Sequence, residues 1–188
     1  PIVAIYTNHN AQKEKEGSKL FQSQSIAYSL DEGQTWIKYN GNPVIENPGI
    51  RDFRDPKVIW FDKEKKWILI LAASQLTKFY QSKDLKNWEY MSSFGKGIGN
   101  HDGVWECPDL FELYVEGTSI SKWVHLVSIN PGGPNGGSAT QYFVGDFDGK
   151  HFIIDSDFEL QMKKQHNFWT DFGKDNYAGV TYNNWRSK

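Results

Sequence analysis

Three short strand-like segments recur in order along this chain, each followed by a turn and an aromatic residue. That recurrence restricts the fold more than any other feature. Ser25-Ile26-Ala27-Tyr28-Ser29-Leu30-Asp31 precedes Trp36, and Phe79-Tyr80-Gln81-Ser82-Lys83-Asp84 precedes Trp88. A looser copy, Gln141 to Asp146, precedes Phe152. The three aspartates are spaced by 53 and then 62 residues. Further runs rich in Val, Ile, Tyr, Phe and Trp fall between them: Ile2–Tyr6, Thr35–Tyr39, Lys57–Phe61, Trp67–Ala72, Trp88–Met91, Leu110–Tyr114, Trp123–Ile129 and Tyr177–Tyr182. Such runs bounded by turn residues predict strands. No window keeps a 3.6-residue period with caps, so little helix is expected, and the charged run Lys13 to Lys15 reads as a solvated loop.

Units of about 40 to 50 residues with four short strands each are the signature of β-propeller blades. A single blade cannot cover both faces of its sheet, whereas stacking around an axis does so. The expected fold is therefore all-β and part of a propeller, with a β-sandwich as the competing architecture. Residues 1–40 read as a blade lacking its first strand, 50–95 and 104–155 as full blades, and 168–182 as the start of another. On this count the 188 residues are expected to be the middle of a larger propeller domain.

Composition removes several functional classes. The chain carries 21 Lys+Arg against 23 Asp+Glu, a net charge of −2, with no basic stripe for a nucleic acid to bind. No apolar run approaches the roughly 20 residues of a membrane helix. Cys107 is the single cysteine, so no internal disulfide is possible, and the compartment stays open. The five histidines, His9, His101, His125, His151 and His166, are scattered without metal-site spacing, and neither cofactor nor metal is expected. The Gly-rich stretch Pro131–Ser138 lacks the Gly-Lys-Ser/Thr ending of a phosphate loop. Eight Trp within 15% aromatic residues suit either a β-rich core or sugar stacking; Trp105 and Trp169 are the candidates for the second use.

Two clusters carry chemistry. Arg51-Asp52-Phe53-Arg54-Asp55-Pro56-Lys57 places charge directly before an apolar run, with Pro56 where a strand is expected to begin. Gly103-Val104-Trp105-Glu106-Cys107-Pro108-Asp109-Leu110 embeds two carboxylates among apolar neighbours, an environment that favours a protonated acid. Equivalent innermost strands of successive blades would bring Asp55 and Glu106 to one end of the central channel. Glycoside hydrolysis needs two such carboxyls, one protonating the leaving oxygen and one acting across the anomeric carbon. Arg54 is suited to orient a carboxylate or to hold sugar hydroxyls. His101-Asp102 lies just upstream, at the site rim or in a loop hydrogen bond.

At these residues the chain resembles glycoside hydrolase family 32, the invertases, inulinases and levanases. Phe53-Arg54-Asp55-Pro56-Lys57 is similar to its Arg-Asp-Pro motif, and Trp105-Glu106-Cys107-Pro108-Asp109 to its Glu-Cys-Pro-Asp motif. Asn130–Pro134 with Ser138–Gly145, and Asp171–Ala178, resemble the segments that follow. The resemblance implies a five-bladed propeller, of which this chain would be roughly blades two to four plus the start of blade five. It also implies hydrolysis of β-fructofuranosidic bonds in sucrose or fructans with retention of configuration. Glu106 would be the general acid/base and Asp55 the transition-state stabiliser, with Arg54, Asp109 and Trp105 as substrate-side residues. The family's Asn-Asp-Pro-Asn-type nucleophile motif has no match here, so the first blade, the end of the last and the C-terminal β-sandwich are expected to lie outside the chain. A non-catalytic sugar-binding propeller and an arabinosidase- or xylosidase-type hydrolase are the alternatives.

Overall fold

A computed structural model describes residues 1–165 and 167–183. His166 lies outside the described residues. Three antiparallel meanders follow one another along the chain. The first is β1 (Ile2–His9), β2 (Gln22–Ser29) and β3 (Ile37–Lys38). The second is β4 (Phe53–Phe61), β5 (Lys66–Ala73), β6 (Leu76–Ser82) and β7 (Glu89–Phe94). The third is β8 (Val104–Tyr114), β9 (Ser121–Asn130), β10 (Ala139–Phe147) and β11 (Phe152–Ile154). A 3-10 turn at Asp62–Glu64 and two short α-helices, α1 (Ala11–Lys15) and α2 (Ser156–Gln165), complete the described elements. Neither helix is long and apolar enough to cross a membrane.

Strand β5 shows why the sheets stack. Its run Ile68-Leu69-Ile70-Leu71 is fully buried on both faces, as expected for a strand covered from two sides. Strand alternation divides the run: Leu69 and Leu71 pack with Phe53, Tyr80 and Ile45, whereas Ile68 and Ile70 pack with Phe79, Leu110, Val127 and Phe143. The second sheet is thus clamped between the first and the third, face to face. This is blade-on-blade packing of a β-propeller.

The repeat has a local cause. Ser29 Oγ donates to Asp31 at 2.7 Å, the Asp31 carboxylate takes the Thr35 N–H at 2.9 Å, and Trp36 Nε1 donates to Gly33 O at 3.0 Å. Ser82, Asp84, Asn87 and Trp88 repeat the arrangement, with Trp88 Nε1 on Leu85 O at 3.0 Å. These Asx-type turns close the hairpins β2–β3 and β6–β7. In the third sheet the capping carboxylate is Asp148, which takes the N–H groups of Lys150 and His151 at 2.7 and 2.6 Å. Asp146, matched from sequence, instead pairs with Lys122. The third copy of the turn therefore lies two residues further along, at Asp148. Because β2 matches β6, the first sheet corresponds to β5–β7, and among the described residues no strand stands beside β1 as β4 stands beside β5.

Three expectations change, and one further short helix appears within a low helix content. Asn10 caps the Lys13 N–H at 3.0 Å, so the charged run forms one short helix instead of a loop. Asp155 caps the start of α2, whose Phe158 and Met162 turn one face to the core. Strands β4 and β8 begin upstream of the apolar runs and include both carboxylate motifs, so Pro56 lies within β4 and not at its start. Tyr177–Tyr182 forms no strand. Its backbone N–H groups go to side chains, Ala178 to Ser128 Oγ at 3.0 Å and Thr181 to Asp109 Oδ2 at 2.6 Å, in place of a strand ladder.

Candidate active site

Proline within a sheet is confined to edges, strand starts and bulges. Pro56 and Pro108 each sit in a bulge, where the ladder skips from Arg54 to Lys57 and from Glu106 to Asp109. The residue before each proline, Asp55 and Cys107, adopts positive φ, 62° and 47°. Left-handed backbone at a non-glycine residue is uncommon and costly, and it re-aims the side chains on either side of it. The two bulges are therefore equivalent sites in neighbouring blades.

Equivalence becomes contact, residue for residue. Arg54 meets Glu106, Asp55 meets Cys107 and Lys57 meets Asp109, each pair 52 residues apart. Arg54 Nε and Nη2 both reach Glu106 Oε1, at 2.9 and 2.8 Å, and Nη1 binds Asp52 at 2.6 Å. Glu106 Oε2 is left to the Tyr177 hydroxyl, which donates to it. Asp55 Oδ2 accepts the Cys107 N–H at 3.0 Å, and the Asp55 N–H donates to Thr7 Oγ1 at 3.0 Å. One lateral chain of bonds thus crosses all three blades.

Electrostatics follow from these contacts. Burial works against the Arg54 charge, but its bonds to Asp52 and Glu106 outweigh this and hold its pKa above the ordinary guanidinium value. Burial, then the Asp55 charge, pushes the Cys107 thiol up to about 12, so it is a protonated donor and no nucleophile. Burial and the bond to Glu106 raise the Tyr177 hydroxyl, so it too keeps its proton. Glu106 itself sits in a polar setting; the apolar environment expected from sequence belongs to its neighbours on the other face of β8.

Two sequence candidates are corrected. Trp105 is fully buried, donates from Nε1 to Asn100 O at 2.7 Å and is stacked by His101, so it is a core residue and not a sugar platform. Asp109 is also fully buried, closed off by Lys57 Nζ at 3.0 Å and the N–H groups of Thr181 and Leu110. It ties β8 to Lys57 of the neighbouring blade and to the Thr181 backbone. Arg54 faces the carboxylates, which makes it an organiser of Glu106. His101 takes the loop alternative, its Nε2 3.1 Å from Ile98 O. Sequence reasoning missed Tyr177 and Lys57 as partners, although both lie inside the quoted motifs. An open groove of about 690 Å³ lined by Phe61, Leu110 and Trp123 lies at the far end of β4 and β8 from the carboxylates.

Below the site, His125 is fully buried, with Nδ1 2.8 Å from Asp109 O and Nε2 2.9 Å from Thr77 Oγ1. The carbonyl only accepts, so Nδ1 carries the hydrogen and Nε2 accepts from Thr77. Burial pushes this imidazole down to about 4 from 6.5. Between those values the unfolded chain binds the extra proton, so the contribution is complete above about pH 6.5 and is lost as pH falls towards 4. Chemical denaturation from pH 7 to 5 is expected to show falling stability, with a flatter slope in His125→Gln. Equal slopes would remove His125 as the cause.

Comparison with known proteins adds a third line. The family model for the glycosyl hydrolases family 32 N-terminal domain matches residues 1–188. A levanase of Bacillus subtilis (strain 168) is 53% identical over 183 residues, covering 97% of this chain and 25% of the relative. An extracellular exo-inulinase of Aspergillus niger is 45% identical over 199 residues, covering 97% of this chain and 37% of its own length. The structure of a fructofuranosidase from Schwanniomyces occidentalis complexed with fructose superposes with a TM-score of 0.79 at 43% identity, over 94% of this chain and 31% of that one. The chain therefore spans about a quarter to a little over a third of the curated relatives it matches.

Proposed function

Residues 1–188 belong to glycosyl hydrolase family 32, and from that premise we propose that the protein hydrolyses β-fructofuranosidic bonds with retention of configuration. The observation carrying this reading is the cross-blade bulge pair: Asp55 and Glu106 sit on facing bulges, each fixed by the other blade. Glu106 is the general acid/base. Oε1 is committed to Arg54, which leaves Oε2, partnered among the described residues only by a hydroxyl, to give its proton to the leaving oxygen and later to take one from water. Asp55 stabilises the oxocarbenium-like transition state by accepting from sugar hydroxyls, its Oδ2 steadied by the Cys107 N–H. The names of the relatives, levanase, exo-inulinase and fructofuranosidase, support a fructoside substrate.

Retention requires a second carboxylate as nucleophile. Asp109 is buried under Lys57, and neither it nor Asp52 matches the family's nucleophile motif. The nucleophile is assigned to a part of the propeller domain outside these 188 residues, and the isolated chain is expected to release no fructose from sucrose, inulin or levan. The test is product analysis on the protein that carries this chain. Fructose release with an initial β-configured product supports the reading. An α-configured first product overturns retention; sugar binding without release leaves a binding propeller.

A further inference from the structure

The two bulges treat their amides alike. Asp55 and Cys107, the left-handed residues, each give the backbone N–H to a side-chain oxygen of the preceding blade. For Cys107 the acceptor is Asp55 Oδ2, at 3.0 Å; for Asp55 it is Thr7 Oγ1, also at 3.0 Å. Both residues precede proline, where extended backbone is favoured, so this conformation persists only while its surroundings hold it. Asp55 is held twice, its carboxylate from the third blade and its backbone from the first.

The hold from the first blade is itself fixed. Strand register sets Thr7 on β1 opposite Gln24 on β2. Thr7 Oγ1 donates to Gln24 Oε1 at 2.9 Å, which commits its one hydrogen and leaves a lone pair for the Asp55 N–H. Gln24 is fully buried, and its Nε2 donates to Phe53 O at 2.8 Å. Gln22, two residues away on the same face of β2, accepts the Phe53 N–H on Oε1 at 2.9 Å. That oxygen also lies 3.4 Å from Arg54 Nη1. Among the described strands β4 has a ladder with β5 alone, and at Phe53 two glutamine amides take the place of a second one. Three consecutive residues, Phe53, Arg54 and Asp55, are thus each bonded to the first blade. The glutamines and Thr7 are uncharged, so this anchor acts by position and not by charge.

We infer that Thr7 is a positioning residue for Asp55, its hydroxyl oriented by Gln24, and that the first blade thereby sets where the transition-state stabiliser stands. The inference rests on the fructoside hydrolysis proposed above and gives the first blade a part in it.

The test uses the whole protein, with sucrose and inulin as substrates and a melting curve for every variant. Thr7→Val keeps the branched shape and suits a strand, but it deletes the acceptor. It is expected to lower kcat about tenfold with KM changed less than about twofold, the scale of one hydrogen bond felt in the transition state. Thr7→Ser keeps the hydroxyl and is expected to stay within about threefold of the unmodified kcat. A double-mutant cycle with Asp55→Ala separates positioning from stability. In that background Thr7→Val is expected to lower the melting temperature as before, because Gln24 Oε1 still loses its donor, yet to cost no further kcat. The positioning role is refuted if Thr7→Val keeps its kcat, if Thr7→Ser fails equally, or if the tenfold loss persists without the Asp55 carboxylate. The hydrolase reading survives each of those results. If the unmodified protein cleaves neither substrate, the hydrolase reading fails first and takes the inference with it.

Discussion

Glu106→Gln is expected to lower kcat on sucrose and fructans about 10²- to 10⁴-fold with KM little changed, the usual contribution of a positioned general acid/base. Gln matches Glu in shape, and its amide oxygen still accepts from Arg54 Nε and Nη2, so the cross-blade contact survives. What it lacks is a transferable proton on the atom facing Tyr177. The defect should depend on the leaving group. An activated fructoside that departs without protonation is expected to recover much of the first step, exposing a slow second step as a burst. A variant that hydrolyses sucrose at the unmodified rate would remove Glu106 from its assigned role.

Lys57→Met is expected to cost about 3 to 5 kcal/mol of stability, a large share of the roughly 5 to 15 kcal/mol of an ordinary domain. Asp109 has no solvent exposure, and Lys57 Nζ reaches both its oxygens, at 3.0 and 3.1 Å, while also donating to Thr181 O at 2.5 Å. Without the ammonium, Asp109 keeps, among the described residues, only the N–H groups of Leu110 and Thr181 as partners for a buried charge. Replacing both ends, Lys57→Met with Asp109→Leu, is expected to recover most of the loss, because the penalty lies in the orphaned charge. Denaturant midpoints with unchanged slope measure this. A cost below about 1 kcal/mol for the single variant would class the pair with surface ion pairs.

Much of the architecture was legible because strand periodicity is local. The run Trp67–Ala72 announces a strand on its own, and the Ser-x-Asp turns announce their hairpins. Trp105 was missed, since the resemblance put it on the substrate side, although period two turns it inward once Glu106 faces the site. The bulges were not legible either, since Arg-Asp-Pro and Glu-Cys-Pro-Asp look like loops until their prolines are allowed inside a strand. Tyr177–Tyr182 fails for the opposite reason. Its pattern is strand-like, but Asp109 and Ser128 take its N–H groups, a contact between residues up to 72 apart. The partnerships of Arg54, Asp55 and Lys57 depend on how two blades meet, which no window of sequence contains.

The 52-residue lateral pairing bears on how such a protein can be rebuilt. Each of the two blades carries one half of the Arg54–Glu106, Asp55–Cys107 and Lys57–Asp109 contacts, so a single blade is not a transferable functional unit. A blade moved singly into another propeller would bring Glu106 without Arg54, or Asp55 without the Cys107 amide. Recombination that preserves the chemistry must cut outside the β4–β8 seam and carry both blades as one cassette.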